Sequence, residues 1–319
     1  MATPAVDAAA IAAARHRIPA AFRGMPQFVS EALAALHGAP VVVMAETANP
    51  IGCFKGRGTW LAVSELLAGG VVGERRGLVV ASAGNFGQGV AYAARARGVS
   101  LTVYAATNAN AAKVAAMRRL GAEVRLVGED FDAAREAAAA HAGDGGAHLL
   151  VDGEDPWIAV GAGTMAAELT EAIESGDLPE LAALYVPVGN GALIGGIGAW
   201  LAERMPGLRL VGVQAEAAPA MTLSWRERRA IETPTADTVA DGIAARVPVP
   251  EALELMIRHV DDMVLVSEAE ILDAQDQLGR ALPLTVETAA AAGWSAASRH
   301  GRTEPIGFVL TGGNVVPAG

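Results

Sequence analysis

Val41-Val-Val-Met44, then Asn49-Pro-Ile-Gly-Cys-Phe-Lys-Gly-Arg-Gly58, then an apolar-periodic run to Leu67 reads as strand, loop and helix. Four apolar residues in a row, with no polar alternation, suit a strand buried on both faces. The Pro/Gly turn ends it, and a helix is expected over residues 56–67. The same order recurs downstream. Residues 78–81 read as a strand before a helix over 87–97, and further strands are expected at 101–104, 123–127, 183–188, 208–213, 263–266 and 307–310. Helical segments separate most of them, including the Ala-rich stretch 133–142. Such βαβα alternation predicts an α/β chain with mostly parallel strands and helices on both faces. Ligands on such sheets bind beyond the carboxyl ends of strands, so the loops after strands are where chemistry is sought.

With 319 residues, 52% of them hydrophobic, the chain can bury one large or two medium domains. The formal net charge of −11 argues against nucleic acid and anionic membrane as partners. A single cysteine, Cys53, excludes an internal disulfide framework and suits a reducing, cytoplasmic setting. The alanine run near the N-terminus carries Asp7, and its basic residues Arg15 and Arg17 follow it, the reverse of a secretory signal. Residues 181–202 are uncharged and long enough to span a bilayer. Pro187, Asn190 and several glycines interrupt them, so strand, loop and helix start is the better reading. Residues 143–146 mark a loop with a candidate domain junction just beyond.

Four loops after strands carry the candidate chemistry. In the first, Lys55 opens a helix, where the positive end of the helix dipole destabilises its ammonium and suits an amine nucleophile. In the second, Ser82-Ala-Gly-Asn-Phe-Gly-Gln88, the serine, backbone amides and helix start suit a carboxylate, although Ser82 is also a natural helix cap. The third, Pro187-Val-Gly-Asn-Gly-Ala-Leu-Ile-Gly-Gly196, offers backbone amides to a phosphate. A dinucleotide fingerprint would need glycine where Ile194 stands, so the nicotinamide reading fails there despite Glu216 further on. The fourth is Leu310-Thr-Gly-Gly-Asn314, in which Thr311 offers a neutral hydroxyl. The six histidines are dispersed and no cysteine pair exists, which speaks against zinc. Neither Gly-x-Ser-x-Gly nor a Walker-type Gly-Lys-Ser/Thr occurs.

In this order the loops resemble the fold-type II pyridoxal 5′-phosphate (PLP) enzymes, the tryptophan synthase β-like superfamily, and within it the threonine/serine dehydratase and serine racemase branch. The resemblance runs from about Arg15 to Asn314 and includes Lys113-Val-Ala-Ala-Met-Arg-Arg-Leu-Gly-Ala-Glu-Val124, Gly163-Thr-Met-Ala-Ala-Glu168, Ala240-Asp-Gly-Ile-Ala244 and Asp261-Asp-Met-Val-Leu-Val-Ser267. It implies two open, twisted, mostly parallel sheets with flanking helices. A large domain would comprise residues 1–69 and 155–319, and a smaller mobile domain residues 70–154. It also implies a homodimer.

Carried onto this chain, the resemblance makes Lys55 the Schiff-base lysine and packs Phe54 against the cofactor ring. Asn85 would hydrogen-bond the ring's 3′-oxygen, and Gly189, Asn190, Gly191, Ala192 and Leu193 would bind the phosphate. Thr311 would sit at the pyridine nitrogen. Ser82, Ala83, Gly84 and Gln88 would line the substrate site, with Ser82 and Gln88 on its carboxylate. Some positions depart from the pattern. Cys53 replaces a usual serine, Phe86 a usual histidine, and the phosphate loop reads Gly-Asn-Gly-Ala rather than four glycines. Gln214 stands where the metal-binding members carry glutamate, so no metal is expected. Ala83 stands where serine racemases place a second base, which favours elimination over racemisation.

The implied activity is an ammonia-lyase (dehydratase) acting by β-elimination on a hydroxy-amino acid such as threonine or serine. Threonine synthase-like or β-replacement chemistry is the alternative, since Asn49-Pro-Ile-Gly is also reminiscent of threonine synthases. A non-catalytic binding protein on the same fold is a third reading. With the chain ending at Gly319, no separate regulatory domain is expected.

Overall fold

A computed structural model describes residues 4–300 and 303–315. In chain order its strands are β1 (Gln27–Val29), β2 (Val41–Ala45), β3 (Gly77–Ala81), β4 (Leu101–Ala105), β5 (Glu123–Leu126), β6 (Ala147–Leu149), β7 (Ala183–Pro187), β8 (Arg209–Ala215), β9 (Asp262–Val266) and β10 (Ile306–Leu310). They form a six-stranded sheet in the order β1-β2-β10-β7-β8-β9 and a four-stranded sheet in the order β5-β4-β3-β6. Every pairing is parallel except β1 with β2.

The two-residue period of a strand explains why its runs are apolar throughout. Val42 and Met44 of β2 face one core, together with Leu184, Val186, Leu210, Met263 and Val309, under the helices Ala8–Ala14, Pro156–Glu174 and Ala192–Arg204. Their neighbours Val41, Val43 and Ala45 face a second core with Phe308 and Leu310, covered by the helices Glu268–Ala281 and Thr288–Ala297. The smaller sheet repeats the scheme. Leu78, Val80, Leu101 and Val103 pack with the helix Asn85–Arg97, and Val79 and Tyr104 with the helix Phe131–Gly143.

All eight expected strands are present, with ends displaced by at most two residues. The strands β1 and β6 were not expected. Each has three residues, at a sheet edge, too short to carry a periodic signal. The uncharged stretch 181–202 folds as β7, a turn and the start of the helix Ala192–Arg204. Among the described residues no helix is long and apolar enough to cross a membrane.

Candidate active site

The four candidate loops leave the carboxyl ends of β2, β3, β7 and β10, and three of these strands are adjacent in the larger sheet. Lys55 is the first residue of the helix Lys55–Ala68. The turn before it is stitched to the turn after β10. Phe54 N donates to Thr311 O at 3.0 Å, Gly313 N to Gly52 O at 2.9 Å, and Cys53 bridges Gly312. Asn49 Nδ2 closes the same turn by donating to Glu46 O and Cys53 O. The Asn-Pro-Ile-Gly motif therefore builds the lysine turn, whichever reaction follows.

Half a turn beyond the lysine, the fully buried Arg57 anchors the helix. Its guanidinium donates to both Glu46 oxygens at 2.8 and 2.9 Å, to both Glu168 oxygens at 2.8 and 2.9 Å, and to Thr164 Oγ1 at 3.1 Å. Thr164 and Glu168 are the polar residues of the Gly163–Glu168 motif, whose place in the molecule this explains. Burial pushes the Glu46 carboxyl up, against the opposing pull of Arg57.

The Lys55 ammonium lies 4.9 Å from the centre of the Phe54 ring and 5.8 Å from that of Phe86. Its Nζ donates to Asp152 Oδ2 at 2.5 Å. Asp152 stands in the loop after β6, the strand beside β3, so a fifth post-strand loop joins the site.

Asn85, the first residue of the helix Asn85–Arg97, is clamped at both ends of its amide. Its Nδ2 donates to Glu287 Oε1 and Oε2 at 3.0 and 3.1 Å, and its Oδ1 accepts from Asn314 Nδ2 at 2.8 Å. The oxygen is thus turned to Asn314, which leaves Asn85 a donor toward anything else. Burial raises the Glu287 carboxyl to about 7, although the Asn85 hydrogen bond and the charge of Lys113 oppose the shift. Gly312 permits this arrangement, because a Cβ there would fall 2.3 Å from Glu287 Oε1.

Ser82 Oγ accepts from Gly87 N at 2.9 Å and Gly84 N at 3.2 Å, so the capping role holds and only its hydroxyl proton is left to donate. Among the described residues, the amides of Ala83, Asn85 and Phe86 have no acceptor, and neither does the buried Gln88 side chain. The loop after β7 is alike. Ala192 N donates to Asn190 Oδ1 at 3.0 Å, while the amides of Gly189, Asn190, Gly191 and Leu193 have no acceptor among the described residues. Within this loop only Gly191 has a positive φ, of 97°, so the substitutions at Asn190 and Ala192 carry no backbone strain. The Thr311 hydroxyl is buried and makes no hydrogen bond to a described residue.

Gln214 is buried, and its Oε1 accepts from Thr222 N at 2.8 Å and Thr222 Oγ1 at 2.9 Å. Its amide oxygen serves the first turn of the helix Ala220–Glu227. Among the described residues no group of three or more His, Cys, Asp or Glu side chains could hold a metal ion. Three residues of the site escaped the sequence reading. Asp152 follows an unrecognised strand, Glu287 precedes a helix with no strand before it, and Asn314 lay in a quoted motif without a role.

Comparison with known proteins agrees with this geometry. Residues 18–312 match the family described as pyridoxal-phosphate dependent enzyme. The L-threonine ammonia-lyase of Thermotoga maritima is 35% identical over 288 residues, 90% of this chain and 70% of the relative. That of Geobacter sulfurreducens is 35% identical over 281 residues, 87% of this chain and 68% of the relative. Among solved structures, the T.th. threonine deaminase superposes with a TM-score of 0.89 at 29% identity, covering 98% of this chain and 100% of that one. Maize serine racemase also gives 0.89, at 26% identity over 98% and 94% of the two chains. The chain belongs to the pyridoxal-phosphate-dependent enzymes of fold type II, in their threonine dehydratase branch.

Proposed function

We propose that the chain eliminates water from a hydroxy-amino acid such as threonine or serine and releases a 2-oxo acid and ammonia. The observation that carries this is two loops of acceptor-free amides near Lys55, one placing the Phe86 ring 5.8 Å from its Nζ and the other packing Asn190 on Gly153, beside its partner Asp152. A phosphate and a carboxylate each need such donors, and an amine nucleophile beside them completes the fit to pyridoxal phosphate. When bound, this group supplies an electron sink for the pair left at Cα.

The chain's own residues do the remaining work. Lys55 would hold the cofactor through its amine and, once freed by the substrate amine, would take the Cα proton. The amides of Gly189, Asn190, Gly191 and Leu193, with Ala192 at the helix start, hold the phosphate. Asn85 presents an N–H to the ring's 3′-oxygen, in the orientation that Glu287 and Asn314 impose. Phe54 would pack on the ring, and Thr311 would offer its neutral hydroxyl to the ring nitrogen. Ser82 and Gln88 receive the substrate carboxylate, supported by the free amides of Ala83, Asn85 and Phe86, and Gly84 lines the site. The Cα–H pair would become the Cα–Cβ double bond while the β-hydroxyl departs as water, taking a proton back from the Lys55 ammonium. Lys55 would then take back the cofactor, and the released enamine would tautomerise and hydrolyse to the 2-oxo acid and ammonia. Ala83 cannot move a proton on the other face of Cα, so elimination should outpace epimerisation.

Residues 70–154 form the smaller domain, a reading supported by the confinement of β3 to β6 within them. The domain closes over the substrate, and the protein works as a cytoplasmic homodimer. Purified protein should be yellow, and borohydride should fix the cofactor to Lys55. A screen of amino acids for ammonia and 2-oxo acid identifies the substrate. A protein that stays colourless with added PLP, or that interconverts serine enantiomers faster than it forms pyruvate, contradicts the reading.

A further inference from the structure

Asp152 has no role in the account above, yet it is the carboxylate nearest the reactive amine. Its Oδ2 accepts from Lys55 Nζ at 2.5 Å, and its Oδ1 is buried without a hydrogen-bond partner. With the rings of Phe54 and Phe86 at 4.9 and 5.8 Å, it makes a three-sided box around a positive nitrogen. An aromatic face and a carboxylate are what a cation selects, and Phe86 is the face left when Phe54 packs on the cofactor ring. The loop that bears it is held firmly. Leu150 N donates to Val79 O at 3.0 Å, Asp155 caps the next helix, and a Cβ on Gly153 would lie 3.1 Å from Asn190 Nδ2. Asp152 therefore stays beside the site when the Lys55 nitrogen is committed to the cofactor, and its carboxylate is then left without the ammonium it holds here. A partly buried charge without a partner is costly, so a substrate that supplies a donor is favoured and one that brings a second anion is opposed.

We infer that Asp152 is a specificity residue that admits 2-amino acids with a cationic β-substituent beside the hydroxy-amino acids proposed above, and excludes those with a β-carboxylate. This rests on the elimination chemistry proposed above and extends it to a β-ammonium leaving group. For such a substrate the Cα proton goes to Lys55 and the Cα–H pair forms the Cα–Cβ double bond. The Cβ–N pair departs with the β-nitrogen as ammonia. Hydrolysis of the enamine releases the α-nitrogen, giving two ammonia per 2-oxo acid.

The test uses Lys55→Ala protein loaded with PLP, which binds amino acids without turning them over. It is titrated with 2,3-diaminopropionate, serine, alanine and aspartate, and occupancy is read from the cofactor's visible band. We expect 2,3-diaminopropionate to bind at least about tenfold more tightly than alanine, and aspartate more weakly than alanine. In Lys55→Ala/Asp152→Asn these differences should collapse to within about twofold. In the enzyme with Lys55 intact, Asp152→Asn should lower kcat/KM for 2,3-diaminopropionate about tenfold more than for serine. This second measurement decides the matter if the lysine variant does not take up cofactor. Equal losses for both substrates, or a binding order that Asp152→Asn leaves unchanged, would overturn the inference and leave Asp152 as a positioning residue for Lys55. Absence of turnover with every amino acid would instead refute the lyase reading, while the binding order still judges Asp152.

Discussion

Glu287 is the residue whose ionisation is tied most directly to the site. Its carboxyl is raised by burial to about 7 from the ordinary 4.5. Below pH 4.5 it is protonated in both folded and unfolded chains. Between there and 7 the unfolded chain ionises while the folded one keeps its proton, so this group's stabilisation declines as pH rises and is lost above 7. At about 1.4 kcal/mol per unit the change is about 3 kcal/mol. Glu287→Gln cannot titrate, so its stability relative to the parent should rise by about that amount from pH 4.5 to 7.5, in urea melts of cofactor-free protein. A difference that stays flat with pH would show that the carboxyl titrates as it does in the unfolded chain. Gln214 gives a second expectation. Its amide is neutral and the oxygen is committed to Thr222, so chelators should leave activity and melting temperature unchanged. Loss restored by magnesium or calcium would reveal a divalent site after all. Lys55 and Asn85 stood out in the sequence because each follows a strand in a motif dense with glycine. Asp152 and Glu287 did not, since a lone carboxylate gains meaning only from what the fold sets against it.

The helix that Lys55 opens owes its position to one element-crossing network. Arg57 joins it to the end of β2 through Glu46 and to the helix Pro156–Glu174 through Glu168. All three side chains are buried or nearly so, which makes the pairing costly to break although it adds little over an apolar core. Arg57→Met should destabilise the protein by about 3–5 kcal/mol, because two carboxylates lose their partner in the interior. Adding Glu46→Gln and Glu168→Gln should restore a large part of the loss in thermal melts. If Arg57→Met melts within about 0.5 kcal/mol of the parent, the network is not what holds the helix. At this scale the sequence was easy to read where strands are buried on both faces, as in β2, β7 and β10, whose apolar runs are unbroken. It was mute for β1 and β6. Gln-Phe-Val and Ala-His-Leu resemble any loop until a neighbouring strand supplies their hydrogen bonds.

Across the whole molecule, the unit built on the smaller sheet is latched to the chain after the helix Ala220–Glu227. Lys113 pairs with Asp241, and Arg246 with Asp132. The Asp241 side chain is 62% exposed, although that of Lys113 is only 10%, and the second pair is about one-third exposed at both ends. Pairs so accessible contribute about 0–1 kcal/mol each and weaken in salt. They are therefore too weak to hold the fold together, but strong enough to bias the domain closure proposed above. Lys113→Ala/Arg246→Ala should cost less than about 2 kcal/mol of global stability. It should nevertheless raise hydrogen exchange within residues 70–154 and increase KM for the amino acid more than it lowers kcat. High salt should reproduce the effect in the parent protein and add little to it in the variant, since both act on the same two pairs. Exchange confined to chain ends, with KM and its salt dependence unaltered by the double substitution, would mean that these ion pairs only decorate the surface and that closure is governed elsewhere.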